Sequence, residues 1–346
     1  MAGAFMSQAI ILAPALAADA PAAAAAAPAA AAAAPPAAGG CPALVKLTSM
    51  ELQALPDGRL KVPVTLVERA STLLLDTGSA FRALKAETAT ALGITPVVGG
   101  EVVAGIPGQA NARNVMLPSI TLGTLKFPET GFLIAEPGAV DAAVDGRLTL
   151  DMLVRFDVDL DFTGNQMSLF LQNHCVGKVV YWQANGLTVS PFFFDAQNRI
   201  NFPVRIDGTP LVAVLDTNSP NTYLDLDIAK ANGLNIASDN MTKTKEVRNG
   251  KEVYQRRFKS LSFEDIGINN TLINVMQGAK TAKPAAAAPS APTAPVTLGM
   301  NILRRLHIYV ALQERTLYIS AGGGPAVAPP AAAPAPAPIP APAPAQ

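Results

Sequence analysis

The stretch LLLDTGS at residues 73 to 79 returns almost letter for letter as AVLDTNS at residues 213 to 219. The two aspartates, Asp76 and Asp216, are 140 positions apart (216 − 76 = 140), and the likeness runs well beyond them. Pro63 and Pro203 each stand 13 residues before their aspartate, and Gly93 and Gly233 each stand 17 after it. Further on, RLTLDMLVRFDVDLDFTGNQMSLF at 147 to 170 lies without gaps over TLGMNILRRLHIYVALQERTLYIS at 297 to 320. The second copy carries an extra run rich in Ala and Pro, AKTAKPAAAAPSAPTAPV at 279 to 296, which the first lacks. A duplication of this kind constrains architecture before any single motif is weighed: the chain must fold as two copies of one lobe.

Within each copy the periodicity is that of strands. LKVPVTLV alternates, STLLL is apolar and β-prone, and Asp57-Gly58 reads as a hairpin turn ahead of them. NFPVRI and LVAVL repeat the pattern in the second copy. About residues 83 to 92 and 224 to 232 read as short helices stopped by Gly93 and Gly233. The expected fold is all-β, with two homologous six-to-seven-stranded barrel-like lobes related by a pseudo-two-fold, one short helix each and the active site in the cleft between them. The expected boundaries are 43–172 for the first lobe and 173–320 for the second, with 279–296 as a disordered insertion.

A single aspartate at the end of a buried strand can simply cap a turn. Two of them at matched positions of two related lobes meet across the shared face. Carboxylates about 3 Å apart cannot both ionise, so such a pair holds one proton and contains both a base and an acid. A water held between them is then activated to attack a carbonyl, with no separate nucleophile.

On these motifs the chain resembles an aspartic peptidase of the pepsin and retropepsin superfamily, in the style of bacterial retropepsin-like proteins with both lobes in one chain. LLDTGS matches the family's hydrophobic-hydrophobic-D-T/S-G-S/T motif fully, and VLDTNS departs at one position. The resemblance implies Asp76 and Asp216 as the catalytic dyad and no metal or other cofactor. It implies that Thr77 and Thr217 bond across the lobe interface, that Ser79 and Ser219 orient the carboxylates, and that Gly78 and the residue in its place, Asn218, line the dyad. AGIPGQ at 104 to 109 falls where the family has a flap, which makes Gly105, Ile106, Pro107 and Gly108 the expected substrate-binding residues. VRNGKEV is the charged counterpart in the second lobe. Asn218 stands where the family has glycine, implying a crowded dyad or an unusual backbone angle. Thr149 replaces the glycine of the first lobe's hydrophobic-hydrophobic-Gly segment, whereas the second lobe keeps Gly299. The expected activity is endopeptidase cleavage of a peptide or protein substrate. The alternative is a non-catalytic, retropepsin-like peptide-binding protein of the cell envelope.

The rest of the sequence bounds this reading. Lys plus Arg equals Asp plus Glu at 26 each, with no basic run, so the electrostatic footprint of a nucleic-acid binder is missing. No uninterrupted apolar segment is long enough for stable membrane insertion. Residues 1–19 resemble a secretory signal lacking a basic start, followed by an Ala/Pro-rich linker at 20–42 and a similar tail at 321–346, both expected to be disordered. The implied location is periplasmic or secreted. Two lobes in one chain remove the need to dimerise, so a monomer is expected. Cys41 and Cys175 either pair across a long loop or are two unrelated thiols. His174 and His307 read as structural, DVDLDF at 157 to 162 as a strand with one wet face, and Tyr181 and Trp182 as packing between the lobes.

Overall fold

A computed structural model of the 346-residue chain describes residues 41–98, 113–236, 240–278 and 294–322. The leader 1–19, nearly all of the 20–42 stretch, the loop with Gly105, Ile106, Pro107 and Gly108, most of 279–296 and most of the tail 321–346 lie outside the described residues.

The first lobe is built on strands whose side chains alternate in and out. In Leu60–Leu66 the inward set Leu60, Val62, Val64 and Leu66 is buried, and the residues between them are partly exposed. The preceding turn is Asp57-Gly58, with Gly58 at φ +88, where a side chain is strained. Strand Leu60–Leu66 pairs with Arg69–Leu75, which ends at Asp76 and lies parallel to the short strand Gly146–Leu148. Ala83–Leu84, Leu125–Ile134, Arg113–Leu122 and Val97–Val98 follow in order, and Arg113–Leu122 pairs back onto Leu60–Leu66, closing the sheet.

The second lobe repeats this order. Phe193–Phe194, Ile200–Ile206, Thr209–Leu215, Val296–Leu298, Tyr223–Asp225, Ile266–Gln277, Lys251–Phe263 and Thr242–Arg248 form its sheet, closed by Ile200–Ile206 against Lys251–Phe263. The hairpin of Ile200–Ile206 and Thr209–Leu215 turns on Asp207-Gly208, both at positive φ (48 and 83), the turn whose twist suits a two-residue hairpin. The expected short helices are present as Ala86–Ala91 and Leu226–Ala231, each followed by a left-handed glycine, Gly93 or Gly233. Their expected first residues are instead strand, because Ala83–Leu84 and Tyr223–Asp225 pair with neighbours on both sides. Val296, assigned to the insertion from sequence, is fully buried beside Ala213, and the Pro295 carbonyl accepts from the Asp225 N–H at 2.7 Å. The lobe therefore resumes before residue 297.

A third sheet joins the lobes. Its strands run Lys46–Glu51, Gln166–Leu171, Phe156–Asp161, Leu306–Ala311, Thr316–Ala321, Asn185–Pro191. The central pair is antiparallel, with Asp159 opposite Tyr309 and Val158 opposite Val310. Asp159 and Tyr309 are also each other's equivalents in the repeat (309 − 159 = 150, as 297 − 147 = 150), so the pseudo-two-fold passes between them.

This sheet corrects one expectation. The acidic face of DVDLDF is dry: Asp157 is fully buried and Asp159 nearly so. The segment after Cys175, tied to Cys41 by a disulfide, covers it. His174 Nε2 lies 2.5 Å from Asp157, His307 Nε2 lies 2.6 Å from Asp159, and the Tyr181 hydroxyl donates to Asp159. Trp182 stacks on His307 with ring centroids 4.0 Å apart and donates its N–H to Ser320. Buried carboxylates survive only where donors replace water, and both histidines of the chain are used for that here.

Candidate active site

The dyad sits where the two central strands run out. Arg69–Leu75 and Thr209–Leu215 are held from below by their parallel partners: the Asp76 N–H donates to the Leu148 carbonyl at 2.8 Å, and the Asp216 N–H to Leu298 at 3.1 Å. Each aspartate thus leaves its strand at a matched level, with its side chain turned toward the other lobe.

Thr77 and Thr217 lock the two loops together. Each backbone N–H donates to the other threonine's Oγ1 at 3.1 Å. Each hydroxyl in turn donates to the opposite strand's last carbonyl, Thr77 to Leu215 at 2.8 Å and Thr217 to Leu75 at 2.7 Å. All four bonds are buried, and all four cross between lobes.

The carboxylates are unequally furnished. Asp76 is fully buried and accepts from the Gly78 N–H (3.1 Å), the Ser79 hydroxyl (2.7 Å) and the Asn218 amide (3.1 Å), with Arg147 at 3.9 Å. Asp216 is half-buried and accepts one close donor, the Asn218 N–H at 2.9 Å. Burial, and then the negative charge of Asp76, pushes the Asp216 carboxyl up to about 6. Burial raises Asp76 as well, while Ser79 and Arg147 oppose the rise. More donors surround Asp76 than Asp216, which favours the ionised form on Asp76 and a shared proton on Asp216.

Gly78 has a steric reason to be glycine. A Cβ there would fall within 2.7 Å of the Asp216 Oδ2 and closer still to its carboxyl carbon. The matching residue of the second lobe is Asn218, whose side chain reaches across to Asp76. Its φ is not in the left-handed region, so the unusual backbone angle expected from sequence does not arise. Arg59 fixes the orientation of the amide by donating to Asn218 Oδ1 at 3.2 Å, while itself held by Asp57 (2.6 Å) and Asp141 (2.5 Å). A guanidinium only donates and an ionised carboxylate only accepts, so the amide oxygen must face Arg59 and its nitrogen Asp76.

Ser219 does not mirror Ser79. Its hydroxyl donates to the Asn221 carbonyl at 2.8 Å rather than to Asp216. Pro220 follows Ser219 where the first lobe has Ala80, and the loop turns so that the Ser219 carbonyl accepts from Met300 N–H at 2.8 Å. That turn is also why Gly299 is needed: a Cβ on it would lie 2.7 Å from the Ser219 carbonyl and nearer still to Asn221. Substituting Gly299→Ala is expected to cost about 1–3 kcal/mol in denaturant unfolding, the usual range for forcing atoms into a packed site. In the first lobe the loop stands off, and Thr149 uses the room to donate to Asp151, which pairs with Arg82 at 2.8 Å.

A family model described as aspartyl protease matches residues 62–154, the part of the first lobe that contains Asp76, Thr77, Gly78 and Thr149. Over that stretch the first lobe is similar to aspartyl proteases. No curated protein matches the chain. Among solved structures, the chain is similar to basic 7S globulin from soybean, at 13% identity and a TM-score of 0.47, covering 80% of this chain and 96% of that one. It is similar to an aspartic proteinase from Irpex lacteus, at 14% identity and a TM-score of 0.45, covering 80% and 97%. A retropepsin-like aspartic protease from Rickettsia conorii is 14% identical with a TM-score of 0.28, covering 41% of this chain and 97% of its own.

The relay from Arg59 through Asn218 to Asp76 is what sequence reading missed in this site. Arg59 lies 159 residues from Asn218, and no local pattern links them. Among the described residues no cluster of His, Cys, Asp and Glu is placed to hold a metal ion, and no helix is long and apolar enough to cross a membrane.

Proposed function

We propose that the chain is an aspartic endopeptidase that hydrolyses peptide bonds with water activated between Asp76 and Asp216. The supporting observation is the meeting of two unequal carboxyls at the lobe junction, one furnished with donors and the other raised to about 6. Asp76 acts as the base, drawing a proton from water as the oxygen attacks the peptide carbonyl. Asp216 gives its proton to the carbonyl oxygen, so no full negative charge builds up there. As the tetrahedral diol collapses, Asp76 passes its proton to the leaving amine and Asp216 takes the proton of the diol hydroxyl that becomes the new carbonyl oxygen, which returns the pair to its starting state. Activity is expected below about pH 6, because Asp216 must retain that proton.

A second reading has its own support. The Asn218 amide occupies an Asp76 oxygen where the family motif has only a glycine, and this suits a peptide-binding cleft that has given up the chemistry. Proteolysis of a mixed peptide library from acid to neutral pH, with and without a statine-type transition-state mimic, separates the two. Cleavage below pH 6 that the mimic blocks supports the peptidase. Binding of peptides or mimic without cleavage would overturn it in favour of the binder. Export to a periplasmic or extracellular space, and action as a monomer, complete the proposal; the Cys41–Cys175 disulfide supports the first, since such bonds persist in oxidising compartments.

A further inference from the structure

The arginines around the dyad are not alike. Arg59 is neutralised by Asp57 and Asp141, and Arg82 by Asp151 at 2.8 Å together with the Gly131 carbonyl at 2.6 Å. Among the described residues Arg147 meets no carboxylate other than Asp76. Its Nη1 lies 3.9 Å from Asp76 and 3.5 Å from the Ser79 hydroxyl, and its buried Nε has no partner among the described residues. It stands in the middle of the short strand beside Leu74, and the carbonyl of the next residue, Leu148, holds the Asp76 N–H. The side chain therefore emerges beside the reacting carboxylate, and it is 24% exposed.

The second lobe adds a cation of a different kind. Arg248 ends a strand at the Asn249-Gly250 turn and lies over the Tyr223 ring at 4.2 Å, without an ion pair among the described residues. Its charge reaches Asp216, where it opposes the rise caused by burial. One negative charge on the dyad thus faces two positive ones, neither ion-paired to any other carboxylate among the described residues. A partly buried guanidinium whose Nε has no partner among the described residues gains from a carboxylate, which its planar fork fits best.

We propose that the cleft selects peptides with an acidic side chain next to the scissile bond, and that Arg147 is the residue that receives it. The proposal rests on the peptidase reading and names its substrate class. Thr297 occupies the position equivalent to Arg147 in the second lobe (297 − 147 = 150), so the acid is required on one side of the scissile bond and not on the other. Arg248 contributes attraction at longer range.

The test uses matched peptides that differ only in Glu, Gln or Leu at each position flanking the cleaved bond, assayed near pH 5.5, where a Glu side chain is mostly ionised. Glu is expected to exceed Gln in kcat/KM by about tenfold at one flanking position, a charge-assisted hydrogen bond's worth. Arg147→Thr, copying the second lobe, is expected to reduce that ratio to about one, and Arg147→Lys to keep part of it. Equal rates for Glu and Gln in the parent chain, or an unchanged ratio in Arg147→Thr, would overturn the specificity while leaving the peptidase intact. An equal fall for every peptide would overturn it too, since Arg147 would then act only on Asp76. If no peptide is cleaved, the peptidase reading fails, and titration calorimetry with the same peptides decides the specificity on binding alone.

Discussion

Converting Asp76 to Asn is expected to lower kcat/KM at least about a thousandfold toward any peptide the parent cleaves, and Asp216→Asn to do the same, since each removes one half of a base and acid pair. The two variants should part company in stability. Asp216 is already the protonated member, and an amide is a near copy of a neutral carboxyl. Its folded pKa of about 6 stands above the unfolded value, so its contribution to stability is fully present below about pH 4 and is lost as pH rises through 6. At pH 7.5 that loss is on the order of a few kcal/mol, and Asp216→Asn should escape it. Asp76→Asn gains nothing comparable: its new NH2 would face the Asn218 amide and Arg147, both donors, at the site of an acceptor. Denaturant unfolding of the three proteins at pH 4.5 and 7.5 reads this out. An Asp216→Asn chain whose stability tracks the parent at both pH values would place the proton elsewhere.

Such asymmetry marks where the sequence stopped being readable. The repeat made the lobes legible, because strand alternation and matched Asp, Pro and Gly positions are local patterns that survive divergence. The left-handed glycines after the helices, Gly93 and Gly233, were legible for the same reason. The environment of the carboxylates was not, because it depends on which side chains arrive from elsewhere. Pro220 sends the Ser219 hydroxyl to Asn221, and Arg59 turns the Asn218 amide from across the interface. DVDLDF misled by its own regularity. Alternation says which residues share a face and nothing about what covers that face; here it is a segment pinned by Cys175 and carrying Tyr181 and Trp182. The joining sheet escaped notice because its strands come from six separated stretches, from Lys46 to Ala321.

The threonine clasp sets the second large effect. A Thr77→Val chain keeps nearly the same shape but removes the hydroxyl that donates to Leu215 and accepts from the Thr217 N–H. Both backbone groups are left buried, with water excluded. At about 1–3 kcal/mol for each orphaned group, the substitution should cost about 2–5 kcal/mol. Thr217→Val strands the Leu75 carbonyl and the Thr77 N–H in the same way. The double variant should fall short of the sum, because the surviving threonine in each single variant already sits in a loosened clasp and has less left to lose. Thr77→Ser keeps the hydroxyl and should recover most of the loss. Activity should fall ahead of unfolding, since the clasp fixes the spacing of two carboxyls that work only when they share one proton. Unfolding free energies for the single, double and serine variants, measured beside cleavage rates at a temperature where all are folded, test both halves. A Thr77→Val chain within about 0.5 kcal/mol of the parent would mean that the lobes are held by the joining sheet alone, leaving the clasp a matter of alignment and not of stability.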